Sequence, residues 1–136
     1  MNRASPTSPV PPPHRAVSVL VIDDDDDIRY TLSEVLEDIG YSVATASEGR
    51  EALQLLREVR PQVILLDLNM PVMSGAEFRL AQRGDPALRG IPTIIMTAVD
   101  RMPDRTSDLA AEEVLPKPFR LPDLLALLDL YLHRTG

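Results

Sequence analysis

From Val17 onward, short apolar runs alternate with segments of helical period. Val17-Ser18-Val19-Leu20-Val21-Ile22 is β-branched and nearly all apolar, which suits a strand buried on both faces of a parallel sheet. A helix is predicted over 26–39, because Ile28, Leu32, Val35, Leu36 and Ile39 share one face and Gly40 supplies the stop. Residues 41–46 read as the second strand. Ser47 is the expected cap of a helix through Val59, ended by Pro61. Val63-Ile64-Leu65-Leu66-Asp67 is the third strand, and Gly75 opens a short helix to Arg83. Residues 91–97 form the fourth strand, with Pro92 tolerated near its start. A short, weak helix over 104–111, a brief edge strand over 113–116 and a leucine-rich helix over 121–133 complete the pattern. Five strands alternating with five helices imply an α/β fold, with a doubly wound parallel sheet and right-handed crossovers.

The pattern is confined to one domain, residues 16–136. Residues 1–15 hold five prolines among serines and a threonine and are expected to be an extended, disordered tail. The chain has 136 residues and an apolar fraction of 44%, enough for a single core. A net charge of -7 without a basic cluster argues against direct nucleic-acid binding. No cysteine is present, so thiolate metal sites and disulfides are excluded. No apolar run approaches the roughly 20 residues that span a bilayer, and the N-terminus lacks a signal-peptide core. A cytoplasmic location without membrane contact is expected. Lys117 is the sole lysine among fourteen basic residues. That is either a coding bias toward arginine or a position needing a compact ammonium on a flexible stem.

The ends of the strands carry the chemistry. The first runs into Asp23-Asp24-Asp25-Asp26-Asp27, the third ends at Asp67, the fourth at Thr97, and the fifth runs into Lys117. Open α/β sheets keep their ligand sites on this carboxyl edge. Clustered carboxylates repel, so a bound cation or altered protonation must relieve them. Mg2+ takes oxygen ligands and retains waters, so two or three carboxylates suffice. A carboxylate at such a site can attack a phosphoryl group, while a lysine and a hydroxyl bind the phosphoryl oxygens. Asp67, on a rigid strand end, suits the nucleophile better than an acid in the run. Asp26 and Asp27 read as first-turn helix acids. A calcium loop beginning at Asp23 is rejected, because its sixth position is Ile28, where the turn needs glycine.

Four strings carry a family resemblance: Leu20-Val21-Ile22-Asp23-Asp24-Asp25, Leu65 through Gly75 with its Asp67-Leu68-Asn69-Met70-Pro71-Val72-Met73-Ser74-Gly75 core, Met96-Thr97-Ala98, and Leu115-Pro116-Lys117-Pro118-Phe119. Over residues 17–133 the chain resembles response-regulator receiver domains of two-component signalling. The resemblance implies a flavodoxin-like sheet of order 2-1-3-4-5 and a phosphoprotein working in a phosphorelay. Asp67 would accept phosphate from a sensor histidine kinase or a phosphotransfer protein and signal to a downstream protein target. Asp24, Asp67 and the Asn69 carbonyl would hold Mg2+, with Asp23 acting through a water molecule. Lys117 would pair with the phosphoryl oxygens, Thr97 would respond to them, and Lys117-Pro118 would be cis. Asn69 and Val99 match positions that tune autodephosphorylation. Such a chain is a self-phosphorylating and autodephosphorylating acceptor, not a conventional enzyme.

Two departures stand out. Receivers usually carry an aromatic residue where Val114 stands, and the Thr97-to-Lys117 segment, containing Pro103, is short. Output through the helix between the fourth and fifth strands is therefore not expected. In the last helix, Leu121, Leu124, Leu125, Leu128 and Leu132 form a core stripe, whereas Leu127, Leu130 and Tyr131 lie off it. They form either a widened stripe or a docking or homodimer face. Two alternatives stand beside an active receiver. A haloacid-dehalogenase-like phosphatase would use Asp23 as nucleophile and would need another acid after the lysine, where only Asp123 and Asp129 follow, in a helix. A receiver-like binding module would not turn over phosphate. His14 and His133 are expected to be solvated. With the pattern ending at the last helix, no output domain is expected in this chain, whether it stands alone or is part of a longer regulator.

Overall fold

The computed structural model describes residues 17–68, 74–98 and 111–132. Within them the order is β1 (Val19–Ile22), α1 (Asp26–Ile39), β2 (Val43–Ala46), α2 (Gly49–Val59), β3 (Val63–Asp67), α3 (Gly75–Arg83), β4 (Thr93–Ala98), β5 (Glu113–Lys117) and α4 (Leu121–Asp129). The strands form one parallel sheet of order β2-β1-β3-β4-β5. This is the doubly wound topology expected, with β5 on an edge. The helix expected over 104–111 falls outside the described residues except for Ala111, which is not helical. The expected tail and both histidines also lie outside them.

Strand side chains alternate between faces, and the alternation divides the core in two. Val19, Val21, Val63, Leu65, Ile94, Met96 and Leu115 pack with Leu32 and Leu36 of α1 and Leu124 and Leu128 of α4. Leu20, Ile22, Ile64, Leu66 and Ile95 pack on the other face with Ala52 and Leu56 of α2 and Phe78 of α3. The central strands β1 and β3 are buried throughout, as their unbroken apolar runs require.

Helix ends follow local chemistry, with one correction. Asp25 caps α1, its side chain accepting from the Asp27 and Ile28 amides. Gly40 closes α1 at φ 115, a left-handed conformation cheap only for glycine. Glu48, not Ser47, caps α2 by accepting from the Arg50 amide. Ser47 instead donates its amide and hydroxyl to Glu51. The α4 stripe also shifts. Leu127 and Tyr131 pack against the core, so the widened-stripe reading holds for them, whereas Leu121 is exposed and Leu130 is 68% exposed.

A buried polar network at the amino ends of β4 and β5 had no counterpart in the sequence reading. Arg79, 2% exposed, donates to Gln82 Oε1 at 2.7 Å and Thr93 Oγ1 at 2.8 Å, and lies 3.8 Å from Glu112. Burial lowers the guanidinium's pKa, and Glu112 opposes that shift. Gln82 donates to the Leu88 and Ile91 carbonyls, and Glu112 accepts from the Thr93 amide at 2.6 Å. Breaking a buried ionic network strands its partners. Arg79→Ala is therefore expected to lower stability by about 3 kcal/mol, measured as a shift in the urea midpoint without loss of the two-state transition.

Candidate functional site

Strand alternation sets the ligand positions. Asp23 extends the Val19–Val21 series of β1, Asp67 the Val63–Leu65 series of β3, and Lys117 the Leu115 position of β5. All three belong to the sheet face covered by α1 and α4. Ile22 pairs with Leu66, so one further step sets Asp23 beside Asp67. Lys117 pairs with Ala98, two positions beyond the Met96 that pairs with Asp67. Its flexible stem covers the difference. The ammonium reaches Asp23 Oδ2 at 3.2 Å and Asp67 Oδ1 at 3.5 Å.

Asp23 and Asp67 are buried, at 1% and 4% side-chain exposure. Asp24 is exposed, and each of the three offers an oxygen within 4.8 Å of the other two. Three hard oxygen donors that close, with the rest of the site open to water, fit Mg2+, which prefers oxygen and keeps part of its hydration. Asp25 borders the same cleft but spends its carboxylate on capping α1. The amino terminus of α1 adds a positive dipole end there, with Asp26 and Asp27 in the first turn as the sequence suggested.

Thr97 is fully buried at the end of β4. Its hydroxyl donates to the Ala98 carbonyl at 3.4 Å, and Ala98 borders the cleft. Asn69 and Val99 lie outside the described residues. Lys117-Pro118 is cis, as the resemblance implied. Val114 stands 36% exposed on β5.

The phosphatase alternative needs an acid after the lysine to join this cluster. Asp123 and Asp129 are instead exposed residues of α4, and Asp129 accepts from the Tyr41 hydroxyl at 3.2 Å.

The family model of the response regulator receiver domain matches residues 19–129. The chain belongs to the response-regulator receiver family. Response regulator MprA of Mycolicibacterium vanbaalenii is 41% identical over 123 residues, covering 88% of this chain and 52% of that protein. MprA of Mycobacterium tuberculosis is 39% identical over 124 residues, with the same coverage. This receiver chain thus spans about half the length of the curated relatives it matches. Among solved structures, Vibrio cholerae chemotaxis protein CheY4 superposes with a TM-score of 0.77 at 36% identity, covering 86% of this chain and 99% of CheY4. Thermotoga maritima TrrA, solved in complex with Mg2+-BeF, gives a TM-score of 0.75 at 31% identity, covering 85% and 99%. None of these relatives supports the phosphatase reading.

One positioning residue of this receiver was read from sequence only as a helix start. A Cβ on Gly75 would fall 2.6 Å from Leu68 Cα and closer still to the Asp67 carbonyl oxygen. The Gly75 amide donates to the Leu68 carbonyl at 3.1 Å. Ser74 and Glu77 hold the same turn in a reciprocal capping box. The backbone that presents Asp67 is thus wedged against α3, with room for glycine alone. The sequence signal was available, since a glycine beginning a helix is poor for propensity. Gly75→Ala is expected to destabilise by about 2 kcal/mol through overpacking, opposite in sign to the usual gain for alanine in a helix. Urea denaturation with and without the substitution reads that sign.

Proposed function

We propose that this receiver is a Mg2+-dependent phosphoacceptor, with Asp67 as the residue phosphorylated. The observation that carries the reading is the convergence of Asp23, Asp24 and Asp67 within 4.8 Å, with Lys117 bridging the two buried acids. A carboxylate oxygen of Asp67 attacks phosphorus as the phosphorus–nitrogen bond of a donor phosphohistidine breaks. The electron pair of that bond leaves with the imidazole, and the product is an acyl phosphate. Asp24, Asp67 and the Asn69 carbonyl would hold the ion, and Asp23 would act through a water molecule. When bound, Mg2+ neutralises charge on the phosphoryl oxygens.

Lys117 turns its ammonium from Asp67 Oδ1 to a phosphoryl oxygen, compensating the added charge. Thr97, buried at the end of β4, would donate its hydroxyl to the same group. Water then hydrolyses the acyl phosphate, so the protein processes its own phosphoryl group and is not a conventional enzyme. The apolar Val99 could not itself position that water.

In this reading the donor is a sensor histidine kinase or a phosphotransfer protein, and output passes to a downstream protein in the cytoplasm. No described helix is long and apolar enough to cross a membrane. Leu130, the residue that ends α4, is 68% exposed and would face such a target or a second copy.

Intact-mass analysis after incubation with acetyl phosphate and Mg2+ tests the proposal. One phosphoryl adduct is expected on the parent, and none on Asp67→Asn or in the presence of EDTA. An adduct that survives Asp67→Asn would overturn the assignment. Turnover of a phosphate ester abolished by Asp23→Asn, with Asp67→Asn harmless, would restore the phosphatase reading.

A further inference from the structure

We infer that Arg29 is a positioning residue for the exposed acid Asp24, fixing the peptide that precedes it; the inference rests on the Mg2+ reading above. Asp24 sits between two tethered peptide units. The unit before it ends in the Asp23 carbonyl, which accepts from Arg29 Nη1 at 2.7 Å. The unit after it carries the Asp25 amide, which donates to Asp23 Oδ1 at 2.9 Å. The Asp23 amide is fixed in turn by the Ala46 carbonyl at 3.1 Å. An exposed carboxylate on a strand end would otherwise sample many directions, so these tethers preorganise it. Arg29 is suited to the task. Its side chain is 19% exposed and its second nitrogen pairs with the Asp26 carboxylate, which aims the fork at the carbonyl.

The sign of the effect separates positioning from electrostatics. A cation this near the acids repels an incoming dication, so by charge alone its removal would tighten Mg2+ binding. Positioning demands the reverse, because partners that orient ligands typically contribute tenfold or more to metal affinity.

The test is titration of the full chain with Mg2+ alone, followed by amide NMR shifts of the acidic turn. Parallel thermal melts in EDTA confirm that each variant is folded. Arg29→Ala is expected to weaken Mg2+ binding about tenfold. Arg29→Lys, which keeps a donor and the charge, is expected to recover part of the loss. Unchanged or tighter binding in Arg29→Ala overturns the positioning role while leaving the metal site standing. Absence of Mg2+ binding by the parent overturns both readings. If Arg29→Ala does not fold, Arg29→Met and Arg29→Lys decide by the same ordering, with Lys closer to the parent.

Discussion

Two buried carboxylates share a single ammonium at the rim of this sheet, with a third, exposed carboxylate beside them, and most of the local architecture answers to that imbalance. Three acids against one lysine leave a formal excess of two negative charges. The buried pair Asp23 and Asp67, with oxygens within 4.8 Å, repels by about 3.5 kcal/mol or more at an effective dielectric constant near 20. Such a cluster exists only because the strands beneath it are rigid. β1 and β3 are buried along their whole length, so Asp23 and Asp67 cannot swing apart without dragging core residues with them. The same repulsion that costs stability is what a dication or a phosphoryl-binding lysine can exploit.

Charge compensation also explains why the lone lysine matters. The ammonium satisfies two carboxylates from different strands and spans the gap left by the register of β5. A flexible stem with a compact charge can exchange partners as the charge of the site changes, whereas a planar fork is committed to one geometry. The coding-bias explanation of Lys117 is therefore weaker than the functional one. The position has a geometric task of its own, bridging Asp23 and Asp67.

Much of this was legible in the chain because it depends on period and termination. Unbroken apolar runs located the parallel strands, and the acids ending the first and third, with the lysine of the fifth, located the cluster. What escaped has physical reasons. Gly75 looks like a helix start until the Asp67 backbone is laid against it, a contact hinted at locally only by the poor helix propensity of glycine. Arg79 and Gln82 look like surface residues of a polar helix, yet tertiary packing buries both. Ser47 and Glu48 are adjacent potential caps, and only the backbone direction entering α2 decides between them. Leu127 and Tyr131 fell outside a strict stripe, but a helix packed on a twisted sheet buries a wider face than its tightest periodicity suggests.

The buried network and the acidic site occupy opposite ends of the same two strands, and that division is itself informative. Thr93 opens β4 beside Glu112, which stands just before β5, and both join Arg79 and Gln82. Thr97 and Lys117 close those strands at the other end. At the network end, opposite charges and satisfied hydrogen bonds fix the register of the edge strand. At the site end, the acids hold an excess of one sign. A strand pinned at its amino end by internal polar contacts can deliver a charged residue at its carboxyl end without needing that residue to hold the sheet together. The register of the edge strand then has a second anchor besides Lys117, whose ammonium bridges Asp23 and Asp67.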